Sequence, residues 1–285
     1  MAATAAQTRW TLFPRNRSNF QPIKEFSQLT SGKNLEGILC TMWDDNSPHF
    51  ETFWRGIYDF AYFSWNYEEH TADQVHSLFR HRFFSPKLAA ASSDFQDKLE
   101  DQVTLWETLL VNKGDREDIE AQYDFIELPE KNKPGEWSQK YKNKIADARN
   151  VLDRQNQIRL AINASKAVAL RNQYTLDVME QVNELQGFVP RLILALEAFD
   201  KVPVSEKAGA AKSVQTVIND FQTVRKSFEH VYSQTRILGN PPEYILDQNH
   251  HKHPANGTNN TDWMYMHEIP FLEKTNEWLK GVSKL

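Results

Sequence analysis

The sequence predicts a mainly α-helical fold with one buried strand near its start, and three observations carry that expectation. In the second half, Val178, Val182, Leu185, Val189, Leu192, Leu196 and Phe199 recur at spacings of four and three, and Val214, Ile218, Phe221, Val224, Phe228 and Val231 nearly repeat the pattern. This is the period of one apolar helix face, and two packed antiparallel helices joined through Val202 to Ala210 are the simplest arrangement. From Phe50 to Trp65 the aromatic residues are dense and again helically spaced: Phe50, Phe53/Trp54, Ile57, Phe60/Ala61, Ser64/Trp65. The third observation is the short apolar run from Leu35 to Trp43, which ends abruptly in Asp44-Asp45-Asn46-Ser47-Pro48. It reads as a buried strand opening into a polar loop, and it is the one convincing strand candidate.

Elements follow in order along the chain. The first 20 residues, rich in Arg, Asn and Ser around Pro14, read as a loop leading to a short helix near Ile23 to Thr30 that Gly32 breaks. After the strand and the aromatic helix, Thr71 is placed to cap a helix running to about Phe83, with Pro86 beyond its end. Leu99, Val103, Trp106 and Leu110 mark the apolar face of a further helix stopped by Gly114, and Asp124 to Glu136, with Pro129 and Pro134, reads as a connecting loop. Pro190 falls inside the first long stripe and is expected to kink it or begin a new helix. A His/Asn-rich stretch from Gln248 to Thr261 precedes a final amphipathic segment, Phe271 to Leu279, expected to pack Trp278 onto the bundle.

Composition narrows the function classes. With 285 residues, 40% hydrophobic and 25% charged, the chain can bury a sizeable core. A formal net charge of −5 gives no electrostatic reason to expect nucleic acid or an anionic membrane surface as partner. No apolar run approaches the length of a membrane span. The single cysteine, Cys40, cannot form an intrachain disulfide and reads as a small buried hydrophobe.

The segment Gly37-Ile-Leu-Cys-Thr-Met-Trp43-Asp44-Asp45-Asn-Ser-Pro-His-Phe-Glu51, followed by Phe53-Trp54-Arg55 and Ala61-Tyr-Phe-Ser-Trp65, resembles the eighth strand and following helix of the barrel in family 20 glycoside hydrolases, the β-N-acetylhexosaminidases. The remainder more loosely resembles the helical C-terminal domain of bacterial members. The resemblance implies the last strand-helix unit of a (β/α)8 barrel in residues 1–90 and a long-helical domain in 91–285. It also implies a periplasmic or extracellular location for the intact enzyme.

Physical chemistry gives these residues a role of their own. A tryptophan at the carboxyl end of a barrel strand presents a flat apolar face to a pyranose ring, and an adjacent carboxylate accepts hydrogen bonds from sugar hydroxyls. By position, the resemblance makes Trp43 the pocket wall and Asp45 the counterpart of the family's hydroxyl-binding glutamate, with Asp44 as the alternative ligand. Here the sequence departs from the family pattern: Asp is one methylene shorter than Glu, which leaves the reach and the hydroxyl contacted open. A structural role competes with this one: a strand-end Trp packs cores, and Asp-Asp-Asn-Ser-Pro strings cap helices. Glu51 and Arg55, at i and i+4, read as a supporting ion pair.

Family 20 enzymes orient the substrate's acetamido group with an Asp while the adjoining Glu protonates the leaving group. No Asp-Glu dipeptide occurs in this chain, so no catalytic residue is assigned and the isolated chain is expected to be inactive. No cofactor is implied. His250, His251 and His253 form a compositional tract rather than a metal site. Asn16-Arg-Ser, Asn163-Ala-Ser, Asn256-Gly-Thr and Asn259-Asn-Thr match glycosylation sequons, which arise often by chance. The expected partner is an N-acetylhexosaminide bound by the intact enzyme. The competing expectation is a non-catalytic helical interaction module, with self-association through the apolar stripes.

Overall fold

The computed structural model describes residues 1–7, 12–42, 50–66, 70–90, 92, 94–113, 123–237 and 262–282. The chain is mainly helical. Its elements are β1 (Ala2–Ala5), α1 (Arg17–Thr30), β2 (Ile38–Thr41), α2 (Trp54–Trp65), α3 (Ala72–Phe83), α4 (Gln96–Thr108), β3 (Val111–Lys113), β4 (Asp124–Phe125), α5 (Glu136–Lys140), α6 (Lys142–Lys166), α7 (Gln173–Lys201), α8 (Lys207–Tyr232) and α9 (Glu268–Val282). Two compact units form, residues 1–101 with 158–182, and residues 102–157 with 183–285. They interleave along the chain, whereas the sequence reading divides it once, after residue 90.

In the first unit, β2 is not alone. It pairs in parallel with β1, in the register Ala2 to Ile38, Ala3 to Leu39, Thr4 to Cys40 and Ala5 to Thr41. Parallel neighbours require a crossover, and α1 supplies it. The opening residues, expected as loop, therefore hold a strand and the start of a helix that begins six residues earlier than Ile23. Ala-Ala-Thr-Ala lacks the branched and aromatic residues that mark strands, so its conformation comes from pairing rather than propensity. Phe20 and Ile23 of α1, Phe63 of α2 and Val75 of α3 share a core. Aromatic contacts support it, Phe20 meeting Phe63 edge-on at 5.3 Å and Tyr58 meeting Phe79 at a tilt at 5.4 Å between ring centroids. Helix α3 begins with a capping box: Gln74 N–H donates to Thr71 Oγ1, and Thr71 N–H donates back to Gln74 Oε1.

In the second unit the apolar stripes are core. Leu185, Val189, Leu192, Leu196 and Phe199 are fully buried, as are Val214 and Phe228 of α8, and Phe188 meets Phe221 at 4.9 Å between centroids. Helix α7 continues through Pro190 and no new helix starts there. The apolar residues on both sides bury in one continuous stripe, which outweighs the roughly 3 kcal/mol that an interior proline costs. Lys207 seals the end of α7: its buried Nζ donates to Phe199 O at 2.6 Å and Asp200 O at 2.9 Å. Trp278 of α9 packs edge-on against Phe199 at 4.6 Å between centroids and donates to Pro129 O. Val111–Lys113, expected inside the helix stopped by Gly114, and Asp124–Phe125, expected as the start of a connecting loop, form the antiparallel pair β3 and β4.

Candidate functional site

Trp43, Asp44 and Asp45 lie outside the described residues, as do His250, His251 and His253. The structure does define the elements that flank the first group. Because β1 and β2 are parallel, their carboxyl ends lie on one side, and α1 and α2 begin from that side. Position-two alternation puts Ala3, Ala5, Leu39 and Thr41 on one face of the pair, and Leu39 remains 50% exposed. Leu35 and Met42, on either side of β2, are also exposed. Cys40 is half-buried rather than buried, and partial burial pushes its thiol up to about 11.

Beside the carboxyl end of β1 sits a charge network, centred on buried Arg55 and Glu100, that sequence reasoning missed. The Arg55 side chain is fully buried; its Nη1 donates to Asp97 Oδ1 at 2.6 Å and its Nη2 to Glu100 Oε2 at 3.0 Å, with Asp94 at 3.8 Å. Burial alone would lower the Arg55 pKa, but Asp97, Asp94 and Glu100 hold it above its ordinary value. Glu51, one turn earlier, does not pair with Arg55 as its spacing suggests. Its Oε2 accepts instead from Trp54 Nε1 at 3.0 Å and Thr175 Oγ1 at 2.6 Å. The pairing partners of Arg55 lie about 40 residues on, at or just before the start of α4, a distance no local pattern reveals.

Glu100 does more than neutralise Arg55. Its Oε2 accepts the backbone N–H groups of Asn16 at 3.1 Å and Arg17 at 3.2 Å, the first donors of α1. A helix start presents unpaired N–H groups and a partial positive charge, and here a carboxylate from a distant helix satisfies both. Asn16 does not cap its own helix; its Nδ2 donates to Ala6 O at 3.1 Å, just past β1. Its burial removes the first sequon from access. Burial raises the Glu100 pKa, against the opposing pull of Arg55 and the Arg17 N–H.

A second buried pair adjoins this network. Asp59 Oδ2 and His76 Nε2 lie 3.3 Å apart, joining α2 to α3, and burial pushes the Asp59 carboxyl up although His76 and Arg55 oppose it. Arg80 of α3 binds Asp94 Oδ2 at 2.5 Å and the carbonyls of Leu88 and Ala89. Arg80 and Glu100 are buried and bond backbone groups, so they act as scaffold.

Elsewhere, a groove in the second unit runs beside Trp137, lined by Glu127, Glu130, Lys133 and Lys140. Four of its charges pair, Lys133 with Glu130 and Lys140 with Glu127, and Glu136 also lines it. Among the described residues no cluster of His, Cys, Asp or Glu is arranged to hold a metal ion, and no helix is long and apolar enough to cross a membrane. Comparison with protein-family models, with curated proteins and with solved structures returns no match.

Proposed function

We propose that this chain is the C-terminal portion of a glycoside hydrolase of the β-N-acetylhexosaminidase type, contributing a wall of the sugar pocket and not the catalytic acid. The observation that carries the reading is the order β1-α1-β2-α2 with β1 and β2 in parallel. Parallel sheets occur almost only with both faces covered and many strands side by side, and a two-stranded pair is marginal in water. Here the pair keeps an apolar face half open at Leu39. That is the expected state of two adjacent strands of a (β/α)8 barrel separated from the others, and the pocket residues Trp43 and Asp45, with Asp44 as alternative, follow the carboxyl end of the second strand, where such barrels bind substrate. The rival reading, a helical interaction module, draws on apolar stripes whose residues are mostly buried within the chain itself.

The reading is tested on the coding sequence immediately upstream of Met1. That sequence should continue in frame through further strand-helix units and include an Asp-Glu pair. The longer protein should hydrolyse 4-nitrophenyl N-acetyl-β-D-glucosaminide, the present chain should not, and Trp43→Ala in the longer protein should cut kcat/KM by about 100-fold or more, as loss of a stacking wall implies. An in-frame stop upstream, or hydrolysis by the present chain alone, overturns it.

A further inference from the structure

We infer that Glu100 is a positioning residue whose carboxylate ties the start of α1 to the first turn of α2, fixing the two helix starts relative to one another. One oxygen, Oε2, holds three donors: the N–H groups of Asn16 and Arg17, where the segment after β1 enters α1, and Arg55 Nη2, where the segment after β2 enters α2. The two helix starts are also in direct contact with the end of β1. Asn16 Nδ2 donates to Ala6 O, and a Cβ at Gly56 would lie 2.5 Å from that same oxygen and 2.7 Å from Asn16 Nδ2. Arg55 and Gly56 are thus two halves of one device: the glycine lets α2 reach the end of β1, and the arginine carries the bond to Glu100.

A buried ion pair of this kind contributes little net stability compared with a well-packed apolar substitute, and what it supplies is a fixed geometry. A charge-assisted cluster has narrow directional demands, and the three donors can meet one oxygen only when both helix starts are in register. In a barrel the residues between each strand and its helix carry the substrate contacts, so the cluster sets the spacing of the helix starts at which two adjacent rim segments end. This functional consequence rests on the barrel reading given above. The clamp itself does not.

Hydrogen exchange of individual amides in the full chain tests it. In Glu100→Gln the amides of Asn16 and Arg17 should exchange about ten-fold faster or more, since bonds to a charged acceptor are the stronger ones, while amides in the middle of α1 keep their protection. Glu100→Asp, which keeps the charge and shortens the reach, should show the same local loss and serves if Glu100→Gln does not fold. Unchanged exchange at Asn16 and Arg17 overturns the inference, and so does equal acceleration along all of α1, which would mean a general loss of stability. No sugar enters the measurement. A failed clamp therefore leaves the glycosidase reading standing, and an upstream stop codon leaves the clamp standing.

Discussion

Replacing Gly56 by alanine is expected to destabilise the chain, although the same change inside a helix ordinarily stabilises by about 1 kcal/mol. Gly56 is buried in the first turn of α2. An added Cβ would sit 2.5 Å from Ala6 O, 2.7 Å from Asn16 Nδ2 and 3.2 Å from Ala6 Cβ. Two of those three atoms belong to the strand end, and the first is backbone that cannot rotate away. Overpacking of this kind costs about 1–3 kcal/mol. Displacing Asn16 also weakens its bond to Ala6 O, about 1 kcal/mol more. Against the gain in helix propensity, the net loss is about 1–3 kcal/mol. Gly209 in α8 is the control, because a Cβ there meets nothing within 4 Å, and Gly209→Ala should raise stability by up to about 1 kcal/mol. Urea unfolding followed by far-ultraviolet circular dichroism measures both. If Gly56→Ala is as stable as the unsubstituted chain while Gly209→Ala behaves as stated, the close approach of α2 to β1 is wrong.

Two further outcomes follow from single contacts. Thr71→Ala removes the acceptor half of the α3 capping box and should cost about 1 kcal/mol, with Thr71→Ser nearly neutral; equal losses for both would refute the capping role. Asp59 is held above the ordinary carboxylate range by burial, so the folded chain binds its proton more tightly than the unfolded chain does. Its contribution to stability is therefore greatest at low pH and is lost as pH rises through the folded pKa. Relative to Asp59→Asn, the unsubstituted chain should gain stability as pH falls toward about 4, where unfolded carboxyls titrate. Parallel stability-pH curves for the two chains would show that Asp59 does not titrate in this way.

The helices were legible because periodicity is a local property. Thr71 announces the start of α3, and the long stripes announce α7 and α8, since one buried face repeats every three to four residues whatever it packs against. Pro190 shows the limit of local rules: the proline penalty was readable, but the burial on both sides that overrides it belongs to the packed unit. Of the candidate site, the sequence supplied residue types only. Trp43, Asp44 and Asp45 are residue types suited to sugar contact, and they lie outside the described residues.

By itself, then, the sequence determined the mainly helical class, the helix faces and the strand at Ile38–Thr41. Tertiary structure decided that Ala2–Ala5 is a strand, because an alanine-rich segment adopts that form only beside a partner. It also decided the partners of Arg55. Spacing offered Glu51 at one turn, yet the buried guanidinium takes its acceptors, partly exposed Asp97 and buried Glu100, from a helix more than 40 residues away. Charge pairing inside a protein follows burial and geometry, and neither quantity is written in the local sequence.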